Sequence, residues 1–254
     1  MELSKGAEVN LIREVAEEVN RPFAEKYLET QGLIAHNLMQ FKGKVAVAFS
    51  GGKDSLVVLH IAWQLQPDVL VVFNNTGVEY PETVSYIAEI AEQWKLNLMV
   101  TRPEKTYWDV VGKSGYDTGK RGKQSDCCYW VKEKPMKAVI KACGIEAELT
   151  GITAVENRTR MFNARDYGTC HYSTKTKTQR IHPILWWTPD EVREYITSQE
   201  LPMNPVYAKG AERVGCMPCT AHKFWEEQMR KVNPKLYEII KLRKDHQYVM
   251  RLNA

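Results

Sequence analysis

The sequence predicts an α/β protein: a doubly wound parallel sheet of about five strands, with a helical N-terminal preface and a small C-terminal helical region. Three observations predict it. Short β-branched runs alternate with helix-length apolar runs between residues 44 and 200, the pattern of a parallel sheet covered on both faces. The first of these strands runs directly into a glycine turn that opens a helix. Of 254 residues, 44% are hydrophobic and 26% charged, which disfavours a disordered, collagenous or coiled-coil chain. This length suits one well-buried core with appendages, divided here as a preface (1–40), an α/β core (41–200) and a C-terminal region (201–254).

In the preface, Val9, Ile12, Val15, Ala16 and Val19 recur at helical spacing until Arg21-Pro22 interrupts them. Lys44 to Phe49 is the first strand, followed by Ser50-Gly51-Gly52-Lys53-Asp54-Ser55 and the helical run LVVLHIAWQL. Asp68 to Phe73 is the second strand and leads through Asn74-Asn75-Thr76-Gly77 to a helix with Pro81 near its first turn, ending about Trp94. Leu96 to Thr101 is the third. Residues 102–135 read as a glycine- and lysine-rich loop containing Cys127-Cys128, before a helix from Lys132 to Cys143. Glu146 to Gly151 is the fourth strand, and a polar loop to Gln179 separates it from a fifth, Arg180 to Leu185. Thr188-Pro189-Asp190-Glu191 reads as an N-cap, a proline at the first helical position and acids in the first turn, opening a helix through Ile196.

Thirty-five Lys and Arg against 31 Asp and Glu give +4, a mild excess that suits anionic small molecules without implying nucleic acid. Residues 230–254 carry Arg230, Lys231, Lys235, Lys241, Arg243, Lys244 and Arg251 against Glu238 and Asp245, either a solvated helix face or a surface for a polyanion or partner. The longest apolar stretches are strand-length, so no membrane span is expected. MELSKGAEVN lacks a basic region followed by an apolar core, so a cytoplasmic protein is expected. Six cysteines in such a chain argue for reduced thiols.

The turn Ser50 to Ser55 has the chemistry of a phosphate cradle. Gly51 and Gly52 let the backbone approach a ligand, and the N–H groups and dipole of the helix start favour an anion. Lys53 adds a point charge, Asp54 could hold Mg²⁺ if the ligand is ATP, and Ser50 and Ser55 donate hydrogen bonds. Residues 41–200 are therefore a nucleotide-binding core. The second constellation is Cys127-Cys128 with Cys216-x-x-Cys219. Four thiolates from two segments suit zinc or a cubane iron–sulfur cluster, although adjacent ligands are unusual for zinc, and redox-active or unligated thiols are the remaining reading.

Ser50 to Ser55 resembles the pyrophosphate-binding loop of the ATP pyrophosphatase superfamily and lacks Walker A spacing. Within that superfamily, Thr76-Gly77 with Pro81-Glu82-Thr83 resembles the T-G-x-x-x-P-E-T segment of the sulfonucleotide reductases, which reduce adenylyl sulfate or its 3′-phosphate to sulfite. The resemblance spans about residues 40 to 225. It implies an adenine nucleotide alpha hydrolase-like fold and a [4Fe–4S] cluster on Cys127, Cys128, Cys216 and Cys219. The nucleotide would be bound by Ser50 to Ser55, Thr76, Gly77, Gly151, Glu156 and Arg160, and a thiol or other electron-donor protein and a homo-oligomer are further expectations. Gly151, Glu156, Asn157 and Arg160 resemble the family loop G-x-R-x-x-E-S-x-x-R, with Thr153 at the first Arg and Asn157 at the Ser. Lys175, Lys177 and Arg180 either supply the missing charge or form a solvated loop.

The reductases also carry a nucleophilic Cys in a C-terminal E-C-G-[LI]-H segment, and residues 220–254 contain no cysteine. Cys170 is the candidate catalytic thiol, because neighbouring His171 and the basic residues Lys175, Lys177 and Arg180 would favour its thiolate. Cys143 reads as packing. Three functions follow: reduction of a sulfonucleotide in sulfate assimilation; an ATP-dependent sulfurtransferase of the DNA phosphorothioation or tRNA thiolation type, acting on nucleic acid; and a nucleotide-binding accessory subunit.

Overall fold

The computed structural model describes residues 11–114, 126–219, 222 and 224–252. Val9, the segment MELSKGAEVN on which the signal-peptide reading rests, and residues 115–125 of the expected loop lie outside the described residues. The elements run α1 (Arg13–Val19), α2 (Phe23–Gln40), β1 (Val45–Ala48), α3 (Lys53–Leu65), β2 (Leu70–Asn74), α4 (Pro81–Gln93), β3 (Asn97–Thr101) and α5 (Tyr107–Ser114). Then α6 (Asp126–Cys128) passes through a π-helical turn (Tyr129–Glu133) into α7 (Lys134–Cys143). After these come β4 (Ala147–Thr150), a 3-10 turn (Ala154–Glu156), α8 (Arg158–Tyr167), β5 (Cys170–Ser173), β6 (Thr178–Ile181), α9 (Pro189–Ser198), α10 (Trp225–Val232) and α11 (Pro234–Leu252).

The sheet has six strands in the order β3-β2-β1-β4-β6-β5. β4 runs parallel to β1, with Val45 opposite Ala147, and parallel to β6, with Leu149 opposite Ile181. The order reverses direction at β1, since β2 lies on one side of it and β4 on the other; this is the switch point at which open α/β sheets collect ligands. β5 is an antiparallel edge strand paired with β6, His171 facing Arg180. Its existence corrects the expected polar loop and raises the strand count from five to six. α8 was hidden in the same stretch because its apolar stripe is thin: only Met161 and Ala164 are buried. The strand expected over Arg180–Leu185 ends at Ile181 instead, and Pro183, with no N–H, cannot continue the ladder.

The chain divides into two compact units, each assembled from separate segments. The first comprises Met1–Phe49, Lys53–Val71 and Ile145–Pro202. Val45, Val47, Ala147 and Leu149 are buried in it, with the apolar face of α3 from Leu56 to Ala62. Its preface is fastened by buried Lys26, which donates to the Val19 carbonyl (2.6 Å) and pairs with Glu191 of α9 (2.6 Å). Glu191 also closes the capping box with Thr188, so one carboxylate ends one helix and anchors another. The second unit comprises Ser50–Gly52, Val72–Gly144 and Met203–Ala254. Here Tyr80, Val206, Met217, Met229, Tyr237 and Ile240 form one buried cluster, so α10 and α11 pack on the segment that carries the C-x-x-C. Among the described residues no helix is long and apolar enough to cross a membrane.

Candidate active site

The phosphate loop is shaped by sterics. Gly51 takes φ +75°, and a Cβ there would stand 2.9 Å from Thr83 Cγ2, so handedness and space both require glycine. The side-chain amide of Asn204 donates to the Gly51 carbonyl (3.0 Å) and to Thr83 Oγ1 (2.9 Å). In the first unit, Gly151 at the end of β4 meets the start of α3 backbone to backbone: a Cβ on Gly151 would lie 2.5 Å from the Ser55 nitrogen. Lys53 Nζ rests 2.6 Å from Asp54 Oδ1. The loop thus presents a helix N-terminus, whose first N–H groups have no intrahelical acceptor, at the carboxyl edge of β1 and β4.

In the second unit three of the four cysteines, Cys216, Cys128 and Cys219, act on one ammonium. Lys132 lies in the π-helical turn, one helical turn after Cys128. Its pKa is held above the ordinary lysine range by Cys216 first, then by Glu79, Cys128 and Cys219, against the opposing effect of burial. Cys127 and Cys216 pack against the same apolar cluster of Val78, Tyr107, Val111 and Val131. Burial pushes the Cys216 thiol up to about 11 although Lys132 pulls it down, and its Sγ lies 3.4 Å from Thr76 Oγ1. The Thr76 hydroxyl donates to Glu79 Oε1 (2.7 Å). Between the two cysteines of the C-x-x-C, the Pro218 carbonyl accepts from Tyr107 Oη (3.0 Å) and Lys244 Nζ (3.2 Å), and Met217 N–H bonds the Val78 carbonyl (2.9 Å). The donor set is all thiol, flanked by a cation, which suits a four-thiolate centre in kind. Among the described residues, however, no three or more His, Cys, Asp or Glu stand close enough to hold a metal ion. All six cysteines are unbridged.

The loop after β4 belongs to the first unit. Asn157 caps α8 by accepting from the Arg160 N–H at 3.0 Å, the role a Ser would fill at that position. Glu156 pairs with Arg160 one turn on. Thr153 is buried and, being uncharged, supplies no cation at the position of the family loop's first Arg. Beyond them α8 and the β5–β6 hairpin enclose a cavity of about 230 Å³ whose wall includes Arg160, Asn163, Tyr167, His171, Arg180 and His182. His182 Nδ1 lies 2.6 Å from Thr150 Oγ1. Burial, then His171, Arg180 and Arg160, lower its pKa to about 4.

A family model described as the phosphoadenosine phosphosulfate reductase domain matches residues 44–222, from β1 through the C-x-x-C. The chain belongs to this reductase family. An adenosine 5′-phosphosulfate reductase of Staphylococcus haemolyticus is 28% identical over 187 residues, 73% of this chain and 74% of the relative. The fold is shared with a phosphoadenylyl-sulfate reductase of Candida auris (TM-score 0.59, 21% identity, 82% of this chain and 97% of that one). It is also shared with a U34-tRNA thiolase from Methanococcus maripaludis solved with its [4Fe-4S] cluster (TM-score 0.53, 17% identity, 88% and 77%).

As a reductase-family chain it places its sequence-nominated residues unevenly. Asp54, Ser55 and Gly151 are brought together in the first unit. Thr76, expected at the nucleotide, is buried with its hydroxyl toward Glu79 and Cys216; Gly77 follows it with φ +78°. Cys170 departs from expectation: burial raises its thiol pKa rather than basic neighbours lowering it. His171 cannot serve as its base, because adjacent strand residues face opposite sides of the sheet, and His171 lines the cavity. Lys132 and Asn204 were missed; only the helical-turn spacing of Lys132 from Cys128 could have signalled the first.

Proposed function

We propose that the chain reduces a sulfonucleotide, adenylyl sulfate or its 3′-phosphate, to sulfite and the adenine nucleotide, as a step of sulfate assimilation in the cytoplasm. The observation that carries this reading is the presence, within the span matched by the reductase family, of an intact phosphate loop and of both cysteine pairs, with Cys128, Cys216 and Cys219 acting on Lys132. The helix N-terminus and Lys53 would hold the phosphate that becomes the leaving group, where preorganised donors are most effective. Cys127, Cys128, Cys216 and Cys219 would hold a [4Fe–4S] cluster. Bound there, it supplies a thiolate-ligated iron centre whose potential responds to hydrogen bonds at its sulfurs and to nearby charge, and Thr76 and Lys132 are the residues placed to provide both.

Reduction needs a thiolate to attack the sulfur. The sulfur–oxygen bond to the nucleotide breaks, the nucleotide leaves with that electron pair, and a thiol S-sulfonate remains. A second thiolate then attacks the sulfur of the first thiol, giving a disulfide and releasing sulfite. Burial keeps Cys170 protonated and its neighbour His171 faces away, so we assign both attacks to a dithiol donor protein. A second reading, the ATP-dependent sulfurtransferase, is favoured by Asp54, a carboxylate in the first turn of α3 that would hold Mg²⁺ on a bound ATP.

The deciding experiment supplies the anaerobically purified protein with a dithiol and, in turn, adenylyl sulfate, its 3′-phosphate and ATP. Sulfite from a sulfonucleotide is expected, in Cys170→Ser as in the parent. Pyrophosphate from ATP without sulfite from either sulfonucleotide would overturn the reading in favour of the sulfurtransferase.

A further inference from the structure

The two glycines of the phosphate loop are not alike. Gly51 is demanded by the protein itself, through its φ of +75° and the 2.9 Å approach to Thr83 Cγ2. Gly52 is not among the glycines of positive φ, and a Cβ on it would stand 3.4 Å from Ser50 Oγ, 3.5 Å from Tyr207 Oη and 3.9 Å from Val214 Cβ. What its missing side chain leaves open is a slot whose wall carries two hydroxyl oxygens, both within 3.5 Å of one point above the Gly52 backbone. Ser50 Oγ also lies 3.4 Å from the Gly52 nitrogen, so one serine borders both the slot and the backbone N–H beneath it.

Tyr207 is delivered to this slot by a braced turn of the second unit, which holds Ser50–Gly52 as well. Asn204, already bonded to the Gly51 carbonyl and to Thr83, accepts from the Val206 N–H (3.2 Å). The Tyr207 N–H donates to the Asn204 carbonyl (3.1 Å), and the Tyr207 carbonyl accepts from the Gly210 N–H (3.0 Å). Val206 is fully buried, and Lys209 Nζ pairs with Glu82 Oε1 in the first turn of α4 (2.6 Å). The backbone on both sides of the half-buried Tyr207 is therefore fixed before a ligand arrives, and a preordered donor costs little entropy when it engages one. A phenyl ring would cover Gly52 as well as a phenol does. The added hydroxyl suits an anion, because O–H···O⁻ bonds belong to the short, strong class and a neutral donor is cheaper to desolvate than an ammonium.

We infer that Tyr207 is a substrate-binding residue, whose hydroxyl, across the slot from that of Ser50, donates to an oxygen of the nucleotide's 5′-phosphoryl group seated over Gly52. The proposal rests on the reading of Ser50 to Ser55 as the phosphate loop and deepens it: the loop is completed by a donor from the segment that leads into the C-x-x-C.

The test uses the full chain. Titrations with adenosine 5′-phosphate and with adenosine compare the parent with Tyr207→Phe, which keeps the ring and removes only the oxygen. Adenosine 5′-phosphate should bind the variant about tenfold more weakly, the worth of one hydrogen bond to a charged group, while adenosine binds both alike. Unchanged affinity for adenosine 5′-phosphate overturns the proposal. So does an equal loss for adenosine, since a hydroxyl that only held the fold would weaken nucleoside and nucleotide together. Fluorine NMR of the parent labelled with 3-fluorotyrosine adds a readout that asks no binding of the variant: the resonance missing from Tyr207→Phe identifies Tyr207, and in the parent it should move with adenosine 5′-phosphate and stay in place with adenosine. A Tyr207 resonance that ignores the nucleotide, or moves equally with the nucleoside, also overturns the assignment. Sulfite production by a parent whose Tyr207 fails these tests sinks the slot alone. A phosphate-specific loss in Tyr207→Phe without sulfite from either sulfonucleotide sinks the reductase reading alone, and a parent that binds no adenosine 5′-phosphate sinks the phosphate loop and the slot together.

Discussion

The phosphate loop and the cysteine neighbourhood are built by different physics. The loop is held by excluded volume: Gly51 and Gly151 sit where a single methyl group would strike a side chain or backbone, and the chain has no softer way to relax. The cysteine neighbourhood is held by polar side chains arriving from far along the sequence, among them Tyr107, Lys244 and Gln228, and by the apolar packing of α10 and α11. A site made by sterics tolerates almost no change of shape. A site tied by hydrogen bonds loses stability bond by bond.

That contrast fails if methyl groups are tolerated at the loop. Gly151→Ala should give the largest effect, because its Cβ would come within 2.5 Å of the Ser55 nitrogen and 2.6 Å of the Asp54 carbonyl carbon, backbone that cannot swing aside. The expected loss exceeds the usual 1–3 kcal/mol of overpacking, about 3 kcal/mol or more, with nucleotide affinity lost as well. Chemical denaturation and nucleotide titration check both, and parent-like values in both would mean the loop is not sterically determined.

The cavity wall that continues from Gly151 adds a pH-dependent component to the first unit. His182 has a folded pKa of about 4 against an ordinary 6.5, so between those values the unfolded chain binds a proton that the folded one refuses. Stability is then complete above about pH 6.5 and falls as the pH drops toward 4, by up to about 3 kcal/mol at 1.4 kcal/mol per pH unit. His182→Asn should flatten the fall between pH 6.5 and 4 in a denaturation series, and an unchanged slope would show that other groups dominate.

In the cysteine region the corresponding test is Gln228. Its buried side chain accepts from the Glu212 and Arg213 N–H groups and donates to Tyr80 Oη and the Arg213 carbonyl, so it ties α10 to the chain leading into Cys216. Gln228→Leu keeps most of the volume and strands those partners. A loss of about 2 kcal/mol is expected, smaller than at Gly151, and, with the proposed cluster bound by the parent, reduced iron content after anaerobic reconstitution. Full iron retention would mean that the C-x-x-C segment is positioned by packing alone.

The same contrast sets how much could be read beforehand. The strand, glycine turn and helix around Ser50 to Ser55 are contiguous, so their chemistry was visible in six residues. Both cysteine pairs were visible as a pattern, but not the residues that serve them: Lys132 shares no motif with Cys216, and Asn204 is 153 positions from Gly51. β5 escaped because Cys170–Ser173 has no apolar alternation; it is an edge strand made by pairing with β6, and that missed strand is what made His171 look like a partner for Cys170. Thr153 and Asn157 showed as departures from the family loop, and only geometry separates them, one being buried and the other a helix cap.

Asn157 offers the smallest and sharpest test, since the loop after β4 lies beside the steric site yet is held by a hydrogen bond. Its side chain accepts from the Arg160 N–H at 3.0 Å while its own backbone is extended, the geometry of an N-cap. Asn157→Ala removes that acceptor and leaves a helix-terminal N–H to water, so a loss of about 1 kcal/mol is expected. Asn157→Ser, the residue the reductase loop carries, keeps a capping oxygen and should stay near the parent. Because Arg160 reaches both Glu156 and the cavity from the first turn of α8, fraying of that turn should also weaken nucleotide binding in the alanine variant and not in the serine one. If the two variants unfold at the same denaturant concentration, the Asn157 bond is incidental, and the loop after β4 is held by the same excluded volume that fixes Gly151 against the start of α3.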